Sequence, residues 1–228
     1  MRESELASHR TFERLCELKG IRAAPIRRAA KTPTPDYRVW VCPKCYIVEL
    51  KQLDPNDEDK RQRRELRTTG RTAWRNLTPG DRVGKKIKKA RPQLTVWAKR
   101  RVPTLLVLFD NTINLLGNYI DPYEIKVGMY GRDIFQLGAG WVSGGKTTVT
   151  TSFSAVAVLF PQHPDDPNKA PYLVLYHNHR AAIPLEPECV ARVTEHQYRW
   201  QDRRPYEIGC WVHAITGQCD EVFGRSSG

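Results

Sequence analysis

The run YRVWVCPKCYIVELK, residues 37 to 51, constrains the fold more than any other part of the chain. Two apolar β-like segments flank Cys-Pro-Lys-Cys, which reads as a reverse turn between antiparallel strands. A hairpin this apolar belongs inside a sheet. Yet Glu49 and Lys51 stand near the end of its second strand, and Asp36 stands just before its first. A buried charge is costly unless it is paired, neutralised or bound to a cation. With Pro43-Lys44 as the loop, Cys42 pairs with Cys45, Arg38 opposes Glu49 and Asp36 opposes Lys51. Opposed residues share a face of the sheet. Asp36, Glu49 and Lys51 are therefore expected together on one face at the open end of the hairpin. Val48 and Leu50 then point the other way, into the core.

The flanking segments predict an α/β domain with a mixed sheet. Residues 4 to 19 read as an amphipathic helix with Leu6, Phe12, Leu15 and Cys16 on one stripe, Ser4 as cap and Gly20 as stop. A short strand is expected near Ile21 to Arg27, and residues 29 to 35 read as a Pro/Thr-rich loop. A short helix fits residues 57 to 67. Val83, Ile87, Ala90, Leu94 and Trp97 recur at helical spacing on a helix whose other face is rich in Lys and Arg. Pro92 is expected to kink or split it. PTLLVLFDN (103–111) suits a central strand. DPYEIKVGMYG (121–131) has helix ends at Asp121-Pro122 and Gly131, with Glu124 closing a capping box. FSAVAVLF (153–160) and YLVLYH (172–177) read as strands. The last forty residues alternate aromatic and charged side chains without an assignable period. Residues 1–112 are expected to form one unit and residues 113–228 a β-rich extension packed on it.

Two acids and a lysine on one face have a defined chemistry. Carboxylates make a hard-oxygen site for a divalent cation, and magnesium takes one or two of them together with water and substrate phosphate. Such an ion positions a phosphate and acidifies bound water. A neighbouring lysine orients the water and offsets transition-state charge. These are the parts of a metal-dependent phosphodiesterase. Composition points the same way: 37 Lys and Arg against 25 Asp and Glu give a net charge of +12, which favours nucleic acid first and anionic membrane second. Much of it lies between residues 60 and 101, including Arg82, Lys85, Lys86, Lys88, Lys89 and Arg91, with Trp74 and Trp97 interleaved. Charge runs are usually solvated faces, but this one adjoins a candidate phosphate-cleaving site and is expected to track a nucleic-acid backbone.

Pro35-Asp36 followed by Glu49-Leu50-Lys51 after a hairpin resembles the motif of the PD-(D/E)xK nuclease superfamily, the restriction-endonuclease-like fold. A helix before the motif, and a Lys-rich helix and apolar strand after it, also fit that family. The resemblance covers residues 4 to 110 and implies a mixed four-stranded sheet flanked by helices. It further implies that Asp36, Glu49 and the Leu50 carbonyl hold magnesium, for which manganese can substitute, and that Lys51 serves the attacking water. Many members add an acid from the first helix, here Glu13 or, as the alternative, Glu17. Some members carry a Gln four residues before a Tyr in the following helix; Gln93 stands four before Trp97. The implied activity is DNA cleavage, with RNA the less favoured substrate and a homodimer left open.

Other patterns have plainer readings. Glu58-Asp59-Lys60 matches the three-residue motif but lies in a charge run, and Glu124-Ile125-Lys126 is explained by helix capping. GWVSGGKT (140–147) matches a phosphate-binding loop, but the β-branched residues after it do not suit the helix that mechanism needs. Cys42 and Cys45 resemble half of a zinc knuckle without an evident second half, so free thiols are expected. His177, Asn178 and His179 read as a polar strand end. No apolar run approaches the about 18 residues of a membrane span, and the first residues lack a secretory apolar core, so an intracellular, cytoplasmic protein is expected. A non-catalytic nucleic-acid-binding protein on the same scaffold, and an ATPase using residues 140–147, remain the alternatives.

Overall fold

The structure, a computed structural model, describes residues 3–27, 32–41, 43–70, 80–111, 120–131, 151–161, 170–201 and 210–218. It is α/β, built on a mixed sheet of eight strands that lie side by side in chain order. The strands are β1 (Arg22–Pro25), β2 (Tyr37–Val41), β3 (Lys44–Leu53), β4 (Thr104–Asp110), β5 (Ala155–Phe160), β6 (Tyr172–His177), β7 (His196–Gln201) and β8 (Cys210–His213). The first three run antiparallel; β4 and β5 then continue parallel to β3. Strand β6 returns antiparallel, β7 runs parallel to it, and β8 is antiparallel at the edge. The strands on either side of residue 112 thus share one sheet, through β4 and β5.

The central strands are as apolar as their sequences. All six residues of β5 and all six of β6 are buried, as expected for strands covered on both faces. Two cores form, one on each face. One gathers Phe12, Leu15 and Cys16 of α1 (Glu3–Leu18) against Val39, Tyr46, Val48 and Leu50. The Leu6 side chain lies outside the described part. The other gathers Val83, Ile87, Ala90 and Leu94 of α3 (Asp81–Lys99) against Ile47, Leu53, Leu106 and Leu108. Each of these leucines contributes roughly 1.5–3 kcal/mol by leaving water.

Helix α3 is assigned as one continuous helix through Pro92, not the two pieces a proline can produce. Pro92 and Lys88 are both exposed, so the carbonyl that Pro92 leaves without a helical donor lies at the solvated surface. The start of α3 is clamped to α4 (Pro122–Tyr130). Gly80 has φ +74, and a Cβ there would come within 2.5 Å of the Val127 side chain. Its N–H donates to the buried Glu124 carboxylate. Asp121 caps α4 by accepting the Glu124 N–H at 2.7 Å, but Glu124 is drawn to α3 instead of closing the expected box. Helix α2 (Asp57–Thr69) has a full capping box between Asn56 and Asp59. Asp59 is therefore not part of a solvated charge run: it is buried and receives Arg82 at 2.9 Å.

The unassigned C-terminal region supplies β7, β8 and the short α5 (Pro187–Val190). Tyr176 and Trp200 pack edge to face on Trp211, and Tyr198 lies tilted against Tyr176, so aromatic burial replaces the aliphatic alternation that marks an ordinary strand. His177 ends β6 buried, with Nε2 against Gln197 Oε1 at 3.0 Å. Burial holds its pKa below 6.5. On acidification the unfolded chain takes up the proton first, so stability that is complete above pH 6.5 falls as pH drops through that value. Thermal melts at neutral and mildly acidic pH are expected to show this loss, and His177→Gln to flatten it. An unchanged pH slope in the variant would remove His177 from the explanation.

Candidate active site

The hairpin forms with a register displaced by two from the expected one. Tyr37 opposes Val48, Arg38 opposes Ile47, and Val41 opposes Lys44, so neither Arg38–Glu49 nor Asp36–Lys51 is a pair. A shift of two leaves every side chain on its expected face, so apolar patterning does not discriminate between the registers; the turn does. Lys44 joins the ladder, and its ammonium reaches Glu186 at 2.6 Å.

Asp36 sits at the open end of the hairpin. Its N–H donates to Val48 O at 3.1 Å and its carbonyl accepts from Ile26 N at 2.8 Å. Its carboxylate accepts the Leu50 N–H at 2.9 Å. Asp36 is thereby fixed beside the peptide that joins Glu49 to Leu50. The Leu50 side chain is buried in the core under α1, as expected.

Glu49 points to the opposite face, toward α3, and is only 2% exposed. Its Oε1 accepts from Lys51 Nζ and from Gln93 Nε2 of α3 at 3.1 Å. A carboxylate can only accept, which orients the Gln93 amide nitrogen toward Glu49 and its oxygen away. That oxygen is buried and receives no hydrogen bond among the described residues. Lys51 spans both environments: its side chain is 22% exposed while its ammonium meets a buried acid. Removing Glu49 from water costs several kcal/mol before pairing. An aliphatic residue would fill a central strand without that cost, so this position is specified by more than packing.

Helix α3 adds positive charge alongside. Lys86 is half-buried, and its pKa is lowered by burial first, then by Lys89, Lys51 and Arg82, with Asp54 opposing. Its ammonium is therefore electrostatically coupled to Lys51. Lys88, Lys89 and Arg91 are exposed. Lys85 is exposed and paired with Asp81 at 2.7 Å. Arg82 is committed to structure: it holds Asp59 and the Asp54 carbonyl.

Glu13 is engaged elsewhere. It accepts the Tyr37 hydroxyl at 2.9 Å on the α1 side, and the same hydroxyl meets His9 Nδ1 at 2.7 Å. Burial, and next that bond to Glu13, hold the Tyr37 hydroxyl well above its usual range. Tyr37 alternates with Asp36 and Arg38 and packs with Phe12, so Glu13 serves the α1 packing and is not drawn to Glu49. Glu17 pairs with Arg14 at 3.4 Å on the surface. Cys16 is also buried there, its thiol pushed up to about 12 by burial first; it is an inert core residue.

His177 and Asn178 are strand-end residues, Asn178 donating to Phe153 O at 2.9 Å. Cys45 is a free thiol; Cys42 and the segment 140–147 lie outside the described residues, as does Trp74. Among the described residues no group of three or more His, Cys, Asp or Glu side chains is arranged to hold a metal, and no helix is long and apolar enough to cross a membrane. Comparison of the chain with protein-family models, with curated proteins and with solved structures finds no match in any of the three.

The aromatic-basic contacts near this site were not anticipated. Arg38 lies 5.2 Å and Arg100 5.3 Å from the Trp97 ring centre, and Arg22 lies 4.5 Å from that of Trp40. The signal was available in YRVWV: Arg38 and Trp40 alternate with the buried Tyr37, Val39 and Val41.

Proposed function

We propose that the protein is a metal-dependent nuclease of the restriction-endonuclease-like class, hydrolysing phosphodiester bonds of DNA. The observation that carries this reading is the buried Glu49 on a central strand, held by Lys51 and Gln93 beneath a basic helix. The element order supports it as well. A helix, an antiparallel hairpin, a basic helix and a parallel apolar strand follow one another in the order the motif implies, within a sheet of eight strands where the resemblance implies four.

The residues present suit magnesium. Two carboxylates with water and substrate phosphate suffice for it, and Asp36 with Glu49 is such a pair at one end of the hairpin. The Leu50 carbonyl is the third donor the resemblance implies. When bound, the ion acidifies a water and neutralises phosphate charge. The chain's own groups do the rest. The Leu50 N–H fixes the Asp36 carboxylate, and Gln93 fixes that of Glu49. With Asp36 and Glu49 holding such an ion, the Lys51 ammonium would serve the attacking water and the phosphate oxygen that gains charge. Lys86 and Lys89 hold the polyanion against α3.

Binding should then depend strongly on salt. Each phosphate contact contributes about 0.7–0.9 to the slope of log affinity against log salt. Replacing Lys86, Lys88, Lys89 and Arg91 with Ala is expected to flatten that slope while Lys85→Ala, already paired with Asp81, changes it little. An unchanged slope in the fourfold variant would show that α3 does not face nucleic acid.

A further inference from the structure

We infer that the surface running from Gln93 over the C-terminal end of α3 onto β1 and β2 binds unpaired nucleotides. This deepens the nuclease reading and rests on it: the substrate is DNA with a single-stranded segment, not uniform duplex.

Two faces of the sheet are treated differently at this edge. Tyr37, Val39 and Val41 face the core under α1. Arg38 and Trp40 face the other way, the side on which α3 lies. Helix α3 packs on β3 and β4, so β1 and β2 extend beyond it. Arg22 and Trp40 are register partners across these two strands. Trp40 is half-buried and belongs to neither described core. Trp97 is half-buried at the rim of the core, one turn past Gln93. Arg22 lies over Trp40, and Arg38 and Arg100 over Trp97, all three arginines exposed.

This combination has a specific use. A duplex offers side chains its phosphates and hides the faces of its bases. A surface built for duplex phosphates alone has no need of indoles. Unpaired bases do expose their faces, and stacking on an aromatic ring holds any of the four. A guanidinium lying over an indole keeps its N–H edge for the adjoining phosphate.

Position along α3 sharpens the assignment. Lys86, Lys89, Gln93, Trp97 and Arg100 are spaced three or four residues apart and share one helix face. The lysines lie to one side of Gln93, and Trp97 and Arg100 lie to the other. Phosphate contacts without base stacking therefore occupy one side of Glu49 and Lys51, and aromatic contacts the other. The scissile phosphate falls at the junction of paired and unpaired strands.

The test is equilibrium binding in calcium, without cleavage, to a blunt duplex and to the same duplex carrying a single-stranded extension of about ten nucleotides. Wild type is expected to bind the extended duplex on the order of 10-fold more tightly, the size of one lost stacking contact. Trp40→Ala should remove most of that preference and Trp40→Phe should keep it, with blunt-duplex affinity within about two-fold for both. Arg22→Ala, at the neighbouring exposed position, should also reduce the preference, and it leaves every core residue in place. Equal wild-type affinity for the two molecules, or a loss in Trp40→Ala that is the same for both, would overturn the inference. The two readings fail separately. Preferential binding with no cutting in magnesium leaves the surface and removes the nuclease, whereas cutting with equal binding does the reverse.

Discussion

Lys51→Ala is expected to cleave DNA on the order of 10²-fold more slowly than wild type at saturating magnesium, the loss typical when one electrostatic donor to a developing anion is removed. The geometry makes two effects separable. Without metal, Lys51 is a counter-ion to Glu49, whose carboxylate is 2% exposed. Taking the lysine away removes the counter-ion of that buried carboxylate, while Gln93 still donates to it. The cost stays below the about 3–5 kcal/mol seen for fully buried pairs, because the lysine side chain is itself 22% exposed. Metal-free Lys51→Ala should therefore melt at a lower temperature than wild type. Magnesium should restore the melting temperature, because the ion compensates the carboxylates, yet it should not restore the rate. Single-turnover cleavage across a magnesium titration reads the rate, and melting over the same titration reads the stability. Recovery of the rate together with the stability would return Lys51 to the role of strand-end counter-ion.

Glu49→Gln and Asp36→Asn are expected to fall to background cleavage by another route. Both substitutions keep shape and remove charge. In Glu49→Gln the amide oxygen can still accept from Lys51 and Gln93, so the fold should hold. What is lost is affinity for a divalent cation. A ligand that binds only the folded state raises its stability in proportion to RT ln(1 + [L]/Kd), so wild type should gain melting temperature with added magnesium and neither variant should. Asp36→Asn carries a further check, because its side-chain oxygen can still accept the Leu50 N–H that fixes the hairpin end. DNA binding in calcium-free, low-salt buffer should be unchanged or slightly tighter in both, since a negative charge is gone from a site that faces phosphate. If magnesium stabilises Glu49→Gln as much as wild type, Glu49 is not a metal ligand.

The parts of the molecule that were legible in the sequence are those with a strong period or an unambiguous end. Helix α4 could be placed from Asp121, Pro122 and Gly131, because a cap, a ring-locked φ and a stop act locally. Strand β4 could be placed because five large apolar residues in a row, Leu105 to Phe109, suit a central strand. The face shared by Glu49 and Lys51 was legible because alternation along a strand is independent of register. The register itself was not, since a displacement of two changes no face and leaves the apolar alternation as it was. Nor was the role of Glu13. Helical spacing puts it one residue from Phe12, but only the packed structure directs it to Tyr37.

Asp59 and Glu124 teach a related point. Glu124 is the acid of the match Glu124-Ile125-Lys126 and Asp59 the middle residue of Glu58-Asp59-Lys60, and neither match closes an apolar strand as Glu49-Leu50-Lys51 does. Asp59 is absorbed by a helix cap and Arg82, and Glu124 by the Gly80 N–H that docks α3 on α4. Both are buried acids with fixed structural partners. Glu49 differs in lying on a central strand, in having a lysine that remains partly in solvent, and in taking its second hydrogen bond from the Gln93 amide of α3. Strands β7 and β8 were illegible for a different reason: their burial rests on Tyr198, Trp200 and Trp211, interspersed with His, Gln and Arg, and no aliphatic alternation announces them.

The most direct measurement is cleavage by the wild-type protein of linear duplex, extended duplex and circular DNA, in magnesium and in chelator, with Glu49→Gln run beside it. A nuclease centred on Asp36, Glu49 and Lys51 cuts in magnesium, stops in chelator, and is silent in Glu49→Gln while that variant still binds DNA. Absence of cutting by wild type on all three substrates across magnesium and manganese, or equal cutting by Glu49→Gln, would contradict it.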